Sequence, residues 1–130
     1  MKKIQYPIQV RFSDVDSLGH VNNAVYLSYF EMARIAFMNE QIGRNWDWIH
    51  KGLVLRQNLV EYLHPVYLND EVVIEIVPVS CSRTSFTLEY LLFADDQLKT
   101  TGRSVLVCYN FDKKQKNEVY PEFKKLFDKL

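Results

Sequence analysis

The stretch Phe12–Arg34, FSDVDSLGHVNNAVYLSYFEMAR, sets two aspartates, a glycine, a histidine and two asparagines directly before an aromatic-rich run. If that run is a helix, its first turn offers unpaired backbone N–H groups and a partial positive charge. Such an end stabilises an oxyanion or polarises a carbonyl. A carboxylate beside that carbonyl acts as a nucleophile or as a general base on water. Asp16 stands seven residues before Asn23, too far upstream to be the ordinary cap of the same helix, and Gly19 allows a sharp turn between them. The same residue types also make a plain loop, in which Asp14 and Asp16 accept bonds from loop amides. On local chemistry alone the plain loop is the simpler reading.

The surrounding elements must hold this stretch in place. Ile4, Tyr6, Ile8, Val10 and Phe12 alternate with polar residues, which predicts a strand with one wet face and Pro7 at an edge or bulge. The loop Ser13–Asn22 follows, then a helix from Asn23 to about Ile42, capped by Asn22 or Asn23 and closed by Gly43. Its apolar residues go nearly all round, which predicts burial on most sides. Runs 53–64, 71–81, 85–94 and 98–111 read as strands joined by short turns, so neighbours are antiparallel. In YPEFKKLFDKL, Pro121 opens a short amphipathic helix carrying Phe123, Leu126, Phe127 and Leu130. The expectation is one α+β domain over residues 1–130, a curved antiparallel sheet around one long central helix. The sheet edges of such a fold are covered by pairing, here in a two-fold dimer.

Composition narrows the function classes. The 16 basic and 16 acidic residues balance, which argues against nucleic-acid or bilayer binding through net charge. No apolar run approaches the roughly 20 residues of a membrane span, and the N-terminus lacks a signal-peptide core, so no membrane insertion and a cytoplasmic location are expected. Cys81 and Cys108 read as buried reduced thiols. His20, His50 and His64 lie far apart with no cysteine partner, so no metal is expected, and no Gly-x-Ser-x-Gly elbow points to a serine hydrolase.

RFSDVDSLGHVNNAVYLSYFEMAR resembles the signature of the hotdog-fold acyl-CoA thioesterases, the 4-hydroxybenzoyl-CoA thioesterase-like family. Arg11, Asp14, Asp16, Gly19, His20, Val21, Asn22, Asn23, Tyr26, Tyr29, Glu31, Ala33 and Arg34 carry the match. Weaker likeness continues through YLHPVYLNDEVVIE, SRTSFTLEY and GRSVLVCYNFDKKQKNEVYPEF. The resemblance implies the hotdog fold and hydrolysis of an acyl-CoA thioester, with an acyl-carrier-protein thioester as the other substrate. It puts the catalytic carboxylate on Asp16 and the oxyanion donor on the backbone N–H at or beside Asn23. One branch of the family has a histidine where this chain has Asn23. That role does not pass to His20, which is read as tying the loop down, and the Asn23 amide is expected to orient the carbonyl or water. Asp14, Gly19 and Asn22 support the loop, and Tyr26 lines the pocket or packs in the core. Glu31 and Arg34, at i and i+3, are expected to pair and hold the helix–loop geometry.

Coenzyme A needs a cation for its phosphates. The resemblance points to Arg83 among Ser82, Thr84 and Ser85, with Arg56, Arg103 and Lys113 behind it. The acyl chain is expected beside the central helix, near Phe30, Phe37, Val54 and Tyr62. A homodimer or homotetramer without cofactor is implied. The alternative is a hotdog module that binds acyl-CoA or an acyl carrier protein without turning it over.

Overall fold

A computed structural model describes residues 4–128. Strand β1 is Gln5–Ile8, and a 3-10 turn at Phe12–Asp14 precedes helix α1, Val25–Gln41. Strands β2 (Gly52–Tyr62), β3 (Val72–Cys81), β4 (Ser85–Ala94) and β5 (Gln97–Asn110) follow, then β6 (Gln115–Lys116) and helix α2 (Pro121–Lys124). The sheet order is β1-β3-β4-β5-β2, every pair is antiparallel, and β6 adds to β5. Register shifts at Leu55/Gln57, Pro78/Ser80 and Leu92/Phe93 bend the sheet, which curves around α1 as expected.

The period-two reading of β4 is realised residue by residue. Phe86, Leu88, Tyr90, Leu92 and Ala94 are buried, and the residues between them are half-exposed. Helix α1 lays Tyr26, Tyr29, Phe30, Ala33 and Phe37 on the concave face of the sheet. Burying a side chain of this size is worth about 1.5–3 kcal/mol, so this stripe fixes where α1 sits. Phe30 stacks on Tyr90 with ring centroids 4.7 Å apart and crosses β5 at Gly102. A Cβ at Gly102 would lie 2.6 Å from the Phe30 ring, so only glycine admits this approach.

Four expectations are corrected, and one further element appears. The first strand ends at Ile8 rather than Phe12, because the chain turns into the 3-10 segment that Asp14 anchors. Helix α1 starts at Val25 and is not buried on most sides, since Leu27, Met32 and Ile35 form an exposed stripe. The two-residue strand β6 has no signal in the sequence pattern. The last helix covers only Pro121–Lys124, with Phe123 buried against Trp46, Phe86 and Tyr120, and Leu130 lies outside the described residues. Of the two free cysteines, Cys108 is buried but Cys81 is exposed.

Candidate active site

The two aspartates of the loop are held in opposite ways. Asp14 is 2% exposed and spends both oxygens. Its Oδ2 accepts the Arg11 N–H at 2.9 Å and the Tyr29 hydroxyl at 2.7 Å, and its Oδ1 accepts Arg11 Nη2 at 3.2 Å. Burial pushes the Asp14 carboxyl up, but these bonds outweigh it and hold the group below the usual carboxylate range. Burial and the adjoining carboxylate push the Tyr29 hydroxyl up. Asp14 therefore ties the loop to the second turn of α1.

Asp16 is exposed, and its Oδ1 alone is engaged, by the N–H groups of Leu18 at 2.9 Å and His20 at 3.2 Å. Its Oδ2 has no hydrogen-bond partner among the described residues. The main chain closes the same turn, with the Asp16 N–H donating to His20 O and the Gly19 N–H to Asp16 O. Gly19 takes φ +78°, the left-handed conformation that favours glycine. His20 then fastens the loop to the segment after β2. It forms a β-bridge with Tyr67, and the two rings meet edge-on at 5.1 Å.

At the start of α1, Asn22 takes up the neighbouring donors. The Ala24 N–H reaches Asn22 Oδ1 at 3.0 Å, the Val25 N–H reaches Asn22 O at 2.9 Å, and Asn22's own N–H donates to Asp14 O. The N-cap position is Ala24, not Asn22 or Asn23 as expected. The N–H of Asn23 is left without a partner among the described residues. From the opposite side, the Tyr62 hydroxyl donates to Asn23 O at 2.8 Å. The Asn23–Ala24 peptide, next along the chain from the one that carries the Asn23 N–H, is thereby fixed from β2.

Asp16, His20, Asn23, Tyr26, Tyr62 and His64 line one open cleft of about 220 Å³. Tyr26 is buried there, with its hydroxyl accepting the Val66 N–H, and meets Tyr62 edge-on. The sequence reading leaves His64 out of the site and takes Tyr62 only as an acyl-chain contact. Nothing in the spacing of EYLHP places it opposite the helix start; the pairing of β2 with β5 does so.

Other expected residues are not brought to this cleft. The turn Ser82–Ser85 closes on itself, with Ser82 Oγ 2.7 Å from Ser85 Oγ. It meets β5 at Val107, whereas Tyr62, at the cleft, meets β5 at Thr100. Those seven residues span roughly 23 Å of strand. Ser82, Arg83, Thr84 and Ser85 therefore stand at the far end of the same chain from Asp16. Arg103 is spent on Glu89 at 2.9 Å. Glu31 and Arg34 form no ion pair among the described residues; Glu31 is exposed, and Arg34 Nη1 donates to the Tyr90 hydroxyl at 3.1 Å. Phe30 and Phe37 are core residues, and Val54 faces outward on β2. Among the described residues no three His, Cys, Asp or Glu side chains gather as a metal cage. No helix among them is long and apolar enough to cross a membrane.

Residues 10–127 match the profile of the thioesterase-like superfamily. A thioesterase of Thermus thermophilus, solved with coenzyme A and zinc, is 34% identical, with a TM-score of 0.82 over 94% of this chain and 89% of that one. A protein of Aquifex aeolicus (strain VF5) provisionally named an esterase is 30% identical over 93 residues, 70% of this chain and 73% of that protein. The DHNA-CoA thioesterase of Staphylococcus aureus shares the fold, with a TM-score of 0.82 over 96% of this chain and 88% of its own, at 19% identity. The curved sheet around one long helix is the hotdog fold.

Proposed function

The chain belongs to the thioesterase-like superfamily, and we propose that it hydrolyses an acyl-CoA thioester to the free acid and the thiol. The observation that carries this reading is the pairing, in one cleft, of an Asp16 carboxylate with a free Oδ2 and an Asn23 N–H with no partner among the described residues. The thioester oxygen binds at the helix start, where the Asn23 N–H and the helix dipole stabilise the charge it gains. Asp16 Oδ2 either takes a proton from the attacking water or attacks the carbonyl carbon itself. In the first route the water oxygen forms the new C–O bond as the C–S bond breaks, and the proton taken by Asp16 goes to the leaving thiolate. In the second the C–O bond is that of an Asp16 anhydride, the thiolate takes a proton from solvent, and water then hydrolyses the anhydride to the free acid and the carboxylate. Tyr62 steadies the donor from one residue on, by holding the carbonyl of the Asn23–Ala24 peptide. Coenzyme A is the proposed thiol carrier, supported by the Thermus relative solved with it.

The proposed assembly is a homodimer or homotetramer. Strand β2 is one of the two edges of the sheet, and Leu59 on it is 64% exposed, with Val54 and Leu55 alongside and the Leu27–Met32–Ile35 stripe of α1. Antiparallel pairing of two β2 edges would reverse the second copy end to end. Its Ser82–Ser85 turn would then come to the same end of the joined sheet as Asp16, which would give coenzyme A a cation from the second copy's Arg83. Light scattering at micromolar concentration should give twice or four times the chain mass, and a monomer would remove this route to Arg83.

Thiol release from a panel of short, long and aromatic acyl-CoAs tests the reaction. Asp16→Asn should lose at least about a hundredfold while staying folded, the share a general base supplies. Full activity in that variant would sink the assignment. If neither protein releases thiol from acyl-CoA or carrier-protein thioesters, yet acyl-CoA raises both melting temperatures, the cleft binds without hydrolysing.

A further inference from the structure

His64 lines the Asp16 cleft, and its exposed ring makes no hydrogen bond or ion pair among the described residues. Its backbone is pinned on both sides. The N–H groups of Leu63 and His64 both donate to Lys99 O, at 2.9 and 3.0 Å. Pro65 restricts His64 to extended backbone. Val66 is fully buried; its N–H donates to the Tyr26 hydroxyl, and its carbonyl accepts the Val21 N–H at 2.8 Å. His64 stands beyond Tyr62, the last residue of β2, and so outside the edge that the proposed assembly pairs. The other titratable groups that face this cleft beside Asp16 are engaged. The half-buried His20 ring lies edge-on to Tyr67. The Tyr26 hydroxyl accepts the Val66 N–H, and burial pushes its ionisation up. The Tyr62 hydroxyl donates to Asn23 O.

The two routes open to Asp16 ask different things of a second group. As a general base on water, Asp16 both takes and returns the proton. As a nucleophile it is consumed in an anhydride, and the water that hydrolyses this anhydride must give its proton elsewhere. A neutral imidazole has one ring nitrogen that accepts a proton, and histidine changes charge near neutral pH. We infer that His64 is the base of this second step. In the first step Asp16 Oδ2 bonds to the acyl carbon, the C–S bond breaks, and the thiolate takes a proton from solvent. In the second the water oxygen bonds to the acyl carbon and His64 takes the water proton. The anhydride C–O bond breaks, which releases the free acid and returns the Asp16 carboxylate. His64 then gives its proton to solvent. This inference rests on the proposed hydrolysis and gives the cleft its second acid–base group.

Rapid-mixing thiol release with the best acyl-CoA of the panel tests this on the natural protein, His64→Gln and Asp16→Asn. His64→Gln should release about one thiol per chain in a burst, then turn over at least about a hundredfold more slowly than the natural protein. Hydroxylamine attacks an anhydride without needing a base, so it should raise the slow rate and collect the acyl group as the hydroxamate. If His64→Gln fails to fold, His64→Ala decides, and added imidazole should raise its steady rate at least about tenfold. A structural role for His64 would give neither the burst nor the rescue. A steady rate in folded His64→Gln within about threefold of the natural one, or a slow rate without a burst, would overturn the inference. So would folded His64→Ala that imidazole does not rescue. With Asp16→Asn still inactive, each of those results would leave the hydrolysis standing. No thiol from the natural protein with any acyl-CoA would remove the hydrolysis itself, and the inference with it.

Discussion

Asp14→Asn keeps the shape of the side chain and removes its charge. In the natural protein Oδ2 takes two short bonds, from the Arg11 N–H and the Tyr29 hydroxyl, and Oδ1 faces the Arg11 guanidinium. That guanidinium is 70% exposed, so water screens it and it weighs under about 1 kcal/mol. The two bonds to Oδ2 carry most of the energy. A hydrogen bond to a charged group contributes about 1.5–3 kcal/mol and a neutral one about 0.5–1.5. Converting both to neutral bonds should therefore destabilise the fold by about 2–3 kcal/mol at pH 7. Urea unfolding should show a lower midpoint at an unchanged slope. The pH dependence carries a second test. The folded Asp14 carboxyl lies below its unfolded value, so its contribution is complete above about pH 4 and is lost as pH falls through the folded value. The gap between variant and natural protein should thus hold from about pH 6 to 8 and narrow below about pH 4. A loss under about 0.5 kcal/mol at pH 7, or a gap that does not narrow in acid, would refute the view that a charge ties this loop to α1.

Tyr62→Phe removes the bond to Asn23 O and should cost no more than about 1.5 kcal/mol of stability. The expected signature is a fall in kcat with KM little changed in the thiol-release assay, and equal loss in both would argue for a packing role only. Gly102→Ala drives a methyl into the Phe30 ring and should destabilise by about 1–3 kcal/mol in urea unfolding, with Phe30→Leu, Gly102→Ala together recovering part of it. Burial pushes the Cys108 thiol up to about 11. An aromatic disulfide reagent at pH 8 should therefore modify only exposed Cys81 in the folded protein and both thiols after unfolding.

How much of the molecule is legible in its sequence depends on whether local pattern or long-range pairing decides it. Strand β4 has both neighbours in register and one face in the core, so its alternation translates directly into burial. The all-round apolar pattern of α1 is real, but its meaning is not local. One stripe meets the sheet, and the stripe of Leu27, Met32 and Ile35 is exposed. Asp14, Asp16 and Asn22 all read as loop residues. Their division into a buried anchor, a half-free carboxylate and a donor-absorbing asparagine needs the hydrogen bonds. Arg83 is assigned by resemblance to a ligand whose other end is proposed to lie at Asp16. The register of β5 separates the two within one chain. Tyr62 and His64 come to the cleft through the same register, which no period of two or 3.6 encodes.

The order β1-β3-β4-β5-β2 also constrains how the chain is made. Strand β2 leaves the ribosome soon after α1, yet its only partner among the described residues is β5, which pairs Tyr62 with Thr100 and Gly52 with Tyr109. Until β5 has been synthesised, the aromatic stripe of α1 and the apolar residues of β2 have no complete sheet to cover them. During that interval the nascent chain exposes apolar surface of the kind that promotes aggregation. Substitutions in β5 such as Gly102→Ala, which hinder the packing of β5 against Phe30, would prolong the exposure beyond the synthesis of β5, and so would lower the yield of folded protein in cells by more than their equilibrium cost implies.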